Sequence, residues 1–256
     1  MTAAVAIVFI VFLTPDGYIP KMVNDALPAL LLQPRTGPMS NFAAARLNMV
    51  ESQIRPNKII DFALIEALRS VPRELFVPKA IRSIAYRDED LAISPGRYLM
   101  EPLVLARMVQ EAAVAPGDVV LDVGCGTGYS TAVLARLAAT VVGLESDQPL
   151  ARQASDLLRT EGVDNAVVME GSLSGGYAKQ APYNAIIING AVNAVPPALF
   201  DQLADGGRLV AVLRDGGPVG EMRLFLKSNG YLSSRAVATA GVPALPGFVS
   251  APTFTF

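Results

Sequence analysis

The sequence predicts an α/β protein: a doubly wound, mostly parallel sheet of seven strands, ending in an antiparallel C-terminal hairpin. Three observations carry this. From Val119 onward, short runs of Val, Ile and Leu alternate with stretches of helical periodicity, the pattern of a parallel sheet covered on both faces. The apolar run Val119-Val-Leu-Asp-Val123 passes directly into Gly124-Cys-Gly-Thr-Gly128 and then into a helical pattern. Near the end, Ser228-Asn-Gly-Tyr231 separates two strand-like stretches, and Asn-Gly is the strongest short hairpin signal.

Residues 1–39 read as a poorly structured leader. Their apolar run, 3–13, is shorter than the ~20 residues that span a bilayer. It has no Lys or Arg start of a secretion signal, and Pro15, Pro20, Pro28, Pro34 and Pro38 break up the rest of the leader. Translation from Met39, or a short membrane-touching segment, are the alternatives. Residues 40–115 read as helices and loops on the substrate side, and 116–256 as the ligand-binding core. Ser40 is placed to cap a helix running to about Ile54, which Arg55-Pro56-Asn57 breaks. Asp61 is an N-cap for a second helix with Phe62, Ile65 and Leu68 at helical spacing, ended by Pro72. Residues 91–102 read as a loop. Glu101 and Pro102 open a third helix, 103–113, by charge and by Pro at its first position. Strands are expected at 119–123, 140–145, 166–170, 184–189 and 208–213, then at 221–227 and 232–238. Helices are expected at 129–138, 148–161 and 197–204, with Asp205-Gly206-Gly207 turning into the fifth strand.

Composition narrows the function. The 256 residues are 52% apolar, enough for a sizeable core. Net charge is −2 (21 basic, 23 acidic), with no basic excess to mark nucleic acid as the main partner. The single Cys125 excludes an intrachain disulfide framework and fits a reducing compartment such as the cytoplasm. There is no His, the commonest general base and metal ligand, so no metal site or His-dependent triad is expected.

The glycine loop offers helix N-terminal N–H groups to a polar ligand. A dinucleotide fingerprint would need Gly where Tyr129 stands, and a phosphate loop would need a Lys that is absent. The alternating Gly124, Gly126 and Gly128 after Asp122 instead resemble the first motif of class I S-adenosylmethionine (AdoMet) methyltransferases, in a Rossmann-like fold. Glu145 ends the next strand, about 20 positions on, where a carboxylate can accept both ribose hydroxyls. A structural turn is the plain alternative. Asp122 is assigned to the ligand's amino end through water, or to capping the loop. Tyr129 is placed over the cofactor pocket or in the packing, and Cys125 is a small spacer. The tail from Ala236 onward runs over the site's mouth or packs on the sheet.

Pro72-Arg-Glu-Leu-Phe-Val77, then Tyr86-Arg-Asp-Glu-Asp-Leu91, Pro102 and the glycine motif, resemble the protein-L-isoaspartate O-methyltransferase family. Asn184-Ala-Ile-Ile-Ile188 and Val195-Pro-Pro-Ala-Leu199 resemble its later blocks. The resemblance covers about Phe42 to the C-terminus. It implies AdoMet as cofactor, peptides or proteins carrying isoaspartyl residues as substrates, and a role in protein repair. No stable membrane insertion is expected, because the apolar run at 3–13 is too short to span a bilayer.

The chain departs from the family in its substrate loop, which in the family reads Gly-x-Gly-Gln-Thr-Ile-Ser-Gln-Pro, with the Thr and Ser hydroxyls gripping the substrate carboxylate. Here Ser94-Pro-Gly-Arg-Tyr-Leu-Met-Glu-Pro102 puts Tyr98 for the Thr and Met100 for the Ser, and Met donates no hydrogen bond. Arg97 is suited to binding a carboxylate bidentately in compensation, or is a solvated loop charge. On the adenine side, Gly171-Ser172-Leu173 replaces Gly-Asp-Gly, leaving Ser172 as a neutral acceptor that lowers affinity by about 1 kcal/mol. Asn189-Gly190-Ala191 stands where substrate docks. These departures leave two alternatives: a methyltransferase with another acceptor, or an inactive AdoMet-binding relative acting as a partner protein.

Overall fold

The computed structural model describes residues 41–248, so the expectations for the leader and for the last residues of the tail lie outside the described residues. Helix α1 (Phe42–Met49) is capped by Asn41, whose Oδ1 accepts from Ala44 N at 3.1 Å. It continues as a wider π turn (Val50–Ile54) and a 3₁₀ turn (Arg55–Asn57). Asp61 caps α2 (Phe62–Ser70) as expected, accepting from the N–H groups of Ala63 and Leu64. Phe62, expected on the apolar face, points outward at 79% exposure, while Leu64, Ile65, Ala67 and Leu68 fill the core.

The stretch expected as a loop is a small hairpin, β1 (Leu91–Ser94) and β2 (Arg97–Leu99), turned by Pro95-Gly96. Gly96 takes φ +70°, a turn geometry that Pro followed by Gly supplies. The pattern hid it because the strands are short and Pro95, Gly96 and Pro102 read as loop punctuation. Helix α3 (Pro102–Ala112) comes next.

The main sheet is then built from β3 (Val119–Val123), α4 (Tyr129–Ala135), β4 (Thr140–Glu145), α5 (Gln148–Thr160), β5 (Ala166–Glu170), β6 (Tyr183–Val192), α6 (Pro197–Asp201) and β7 (Leu203–Leu213). The hairpin β8 (Gly220–Ser228) and β9 (Tyr231–Ala240) completes it. The order is β5-β4-β3-β6-β7-β8-β9, parallel through β7, with β8 antiparallel to β7 and to β9. Asn229 and Gly230 both take positive φ, +50° and +79°, as a two-residue primed turn requires. The Asp205–Gly207 turn is an interruption inside β7: pairing with β6 jumps from Tyr183↔Leu203 to Ala185↔Arg208.

Alternate residues of each strand go to opposite faces. Val120, Val141, Ala185, Ile187 and Val210 pack with α1 to α4, and Leu121, Val142, Leu144, Ile186 and Leu209 pack with Leu173, Leu199 and Leu245. Covering both faces is what a parallel sheet needs, and it explains the uninterrupted apolar runs in the sequence.

Candidate active site

The chain leaves β3 toward β4 on one side and meets β6 on the other, so the strand order reverses beside β3. Ligands of open α/β sheets bind at such a switch point, outside the C-terminal strand ends. Four strand ends and two loops deliver side chains there.

The glycine loop leaves β3 with Gly124 N and Cys125 N both donating to Leu144 O, at 2.8 and 3.2 Å. Gly124, Gly126 and Gly128 all have positive φ (+76°, +57° and +93°), so the loop needs glycine at each. Glu145 closes β4 and is fully buried. Its carboxylate accepts from Gly126 N (2.8 Å), Ser146 N (2.8 Å) and Asp147 N (3.0 Å). Glu145 therefore faces the glycine loop, as the sequence spacing requires.

Asp122 does not face the crevice. It is fully buried and accepts from Ser130 Oγ (2.8 Å), Thr131 Oγ1 (2.6 Å) and Asn189 Nδ2. These bonds tie β3 to α4 and to the end of β6. Burial pushes its carboxyl up to about 6, against the hydrogen bonds that lower it and with the charge of Glu145 adding to the rise. Burial also pushes the Cys125 thiol well above its ordinary value, which fits a spacer rather than a nucleophile. Tyr129 is packing: its ring is fully buried, edge-on to Phe76 at 5.6 Å and beneath Arg73 at 4.9 Å. Ser172 is exposed, just past the end of β5, and the neighbouring Gly171 N donates to Glu145 O at 3.0 Å.

The hairpin β1–β2 supplies the other wall. Met100 is buried, Tyr98 is 41% exposed, and both border the crevice. Arg97 is only 4% exposed, so it is not a solvated loop charge. Its guanidinium does bind a carboxylate bidentately, but the carboxylate is Glu145: Nη1 to Oε1 is 2.8 Å and Nη2 to Oε2 is 2.5 Å. Nη2 also donates to Gly124 O at 3.2 Å.

Two features had no local signal. Arg73 is fully buried and donates from Nε to Ala85 O (2.8 Å) and from Nη2 to Met100 O (2.7 Å), so it pins the residue that follows β2. In the tail, Ala191 N donates to Pro243 O and Leu245 N to Ala191 O, both at 2.8 Å, which lays residues 243–245 along β6. This segment crosses the mouth and packs on the sheet at once. Leu245 rests on Gly124 so closely that a Cβ there would lie 2.8 Å from its Cδ1.

The Glu145 carboxylate beside the glycine loop is the acceptor that fits ribose hydroxyls, and here Arg97 occupies it. The loop N–H groups of Gly124, Cys125, Gly126 and Gly128, expected to face a ligand, are bonded within the chain. The crevice lined by Arg97, Tyr98, Met100, Asn189, Gly190 and Leu245 has a volume of about 10 Å³. That is room for about one water, and because neither Glu145, Ser172 nor the glycine loop lines it, this crevice is the hairpin and tail side of the site. The small-residue floor expected from the sequence is present, and Arg97 and Leu245 lie on it.

A seven-stranded sheet of this order, with a glycine loop and an acidic strand end at the switch point, defines a Rossmann-like methyltransferase. Residues 45–243 match the family Protein-L-isoaspartate(D-aspartate) O-methyltransferase (PCMT). The chain belongs to that family. It is similar to a Protein-L-isoaspartate O-methyltransferase of Synechococcus sp., with 43% identity over 79% of this chain and 86% of the relative. It is similar to another of the same name from Herpetosiphon aurantiacus, with 37% identity over 82% and 95%. Its fold matches a candidate protein-L-isoaspartate O-methyltransferase of Plasmodium falciparum solved with S-adenosyl-L-homocysteine, with TM-score 0.68, 20% identity, and coverage of 81% of this chain and 99% of that one.

Proposed function

We propose that this protein transfers a methyl group from AdoMet to the free carboxylate of L-isoaspartyl residues in damaged peptides and proteins, as a repair enzyme of the cytoplasm. Family membership supports the reaction, and among the described residues no helix is long and apolar enough to cross a membrane. The observation that carries the reading is Glu145, a buried carboxylate that three backbone N–H groups aim at the space beside the glycine loop.

AdoMet, when bound, supplies an electrophilic methyl; the chain supplies position. Glu145 holds the ribose, and Gly124, Gly126 and Gly128 leave room along the loop. Asp122 acts from beneath by fixing the floor, and Ser172 serves the adenine side. Residues 40–115 form the substrate side, with Arg97, Tyr98 and Met100 bordering the acceptor. The nucleophile is a carboxylate with pKa near ~4, ionised at neutral pH, so no general base is required. The absence of His from the chain is consistent with that. A dry, aligned crevice is the contribution a charge-neutralising displacement needs most.

The small crevice supports a second reading, an AdoMet-binding relative without activity, and Tyr98 with Met100 supports a third, another acceptor. Incubation with methyl-labelled AdoMet and an isoaspartyl peptide separates them. A base-labile methyl ester above background is the expected result. Cofactor binding without ester formation would remove the isoaspartyl reading.

A further inference from the structure

Arg97 meets Glu145 with its end-on edge, Nη1 and Nη2, and that edge holds one carboxylate at a time. In this structure it holds the chain's own Glu145. The two ends of the pair are unequally dependent on each other. Without Arg97, Glu145 still accepts from Gly126 N, Ser146 N and Asp147 N. Without Glu145, Arg97 keeps only the 3.2 Å bond to Gly124 O, and a guanidinium 4% exposed needs an anion. The other acid bordering the crevice, Asp90, already accepts from Glu101 N at 2.9 Å. The hairpin that carries Arg97 is a two-stranded sheet outside the main one. Its contact with the glycine loop includes the tip of Ile93 against Gly126. Its far end is pinned at Met100 by Arg73. The tip meets the core through Arg97 and Ile93, and the far end is held separately by Arg73.

We propose that Arg97 is a carboxylate-exchange residue: it closes the crevice by pairing with Glu145, gives Glu145 up to the ribose hydroxyls of the cofactor, and then receives the substrate carboxylate. This rests on the function proposed above. It orders the reaction, because the receptor for the peptide is free only once the cofactor has taken Glu145. It also supplies the carboxylate grip for which Tyr98 and Met100 have no second hydroxyl. The closed state lowers apparent cofactor affinity by the fraction of molecules that are open.

The test uses the full chain, wild type against Arg97→Gln, with Arg97→Ala as a second variant should either one fold poorly. Titration with S-adenosyl-L-homocysteine, without peptide, is expected to show at least tenfold tighter binding in the variants. Their KM for an isoaspartyl peptide is expected to rise at least tenfold, with kcat changing much less. Hydrogen exchange of residues 94–101 in the free protein is expected to speed up. A variant that is merely damaged loses both affinities, so opposite signs are the diagnostic. Unchanged or weaker cofactor affinity in the variants overturns the proposal, and if the wild type methylates isoaspartyl peptide, the proposed function stands. Tighter cofactor binding with an unchanged peptide KM overturns the exchange and leaves Arg97 a plug. A wild type and variants that never methylate the peptide overturn both the acceptor and the exchange, and no cofactor binding by any form overturns the cofactor reading too.

Discussion

Asp122→Asn isolates the cost of one buried carboxyl. Asp122 is fully enclosed at the end of β3, with two hydroxyls and an amide donating to it, and burial lifts its carboxyl to about 6 in the folded protein. In the unfolded chain it titrates near ~3.9. Between those values the native state holds a proton that the unfolded state has lost. Stability therefore falls as pH rises from about 4 to about 6, and the term is constant above that. Two pH units at ~1.4 kcal/mol each make the term about 3 kcal/mol. Asn carries no such proton. It keeps an oxygen for Ser130 and Thr131, and the Asn189 amide can turn to meet its NH₂ group. Any fixed cost of this rearrangement is the same at every pH and cancels in the comparison. Urea unfolding of both proteins at pH 4 and pH 7 is the assay. At pH 4 the unfolded carboxyl is already about half ionised, so the stability difference is expected to move by about 2 kcal/mol in favour of Asp122→Asn over that range. Parallel curves, with a shift under about 1 kcal/mol, would refute the claim that the carboxyl is buried against its charge.

Other outcomes rest on single contacts. Gly126→Val places its Cβ 2.8 Å from Ile93 Cδ1 at φ +57°, and is expected to abolish AdoMet binding by titration calorimetry; undiminished affinity would displace the pocket. Arg73→Lys puts one nitrogen where two, Nε and Nη2, now hold Ala85 O and Met100 O, and loss of one of these buried bonds is expected to cost about 1–3 kcal/mol in urea unfolding. Gly230→Ala strains a turn position at φ +79° by about 1 kcal/mol. That lowers the melting temperature by roughly 2–4 °C, and no change would argue against the primed turn.

The sheet was legible because its signals are local. Strands at 119–123, 140–145 and 166–170 have the bounds that their apolar runs mark, and Asn229-Gly230 alone places the last turn. Asp61 names its own helix start. Where a strand meets a bulge the sequence understates it: β6 extends past the expected 189 to Val192, because beyond the irregularity at Asn189-Gly190 its residues Ala191 and Val192 pair again with Val212 and Leu213 of β7. The hairpin β1–β2 was missed because strands of four and three residues carry too little alternation to outweigh flanking prolines.

What the residues settle by themselves is the order of elements, the glycine loop and the acid that faces it, since each depends on conformational preference within a few positions. They also exclude a histidine-based mechanism outright. The identity of Arg97's partner is another matter. It lies 48 positions away, and a guanidinium suited to any carboxylate carries no mark of which one it will meet. Leu245 on Gly124, and Asp122 turned beneath the loop, are likewise decided only when the sheet brings distant strand ends together. Chain folding sets those distances, and a buried charge pairs with whatever opposite charge the fold places within reach.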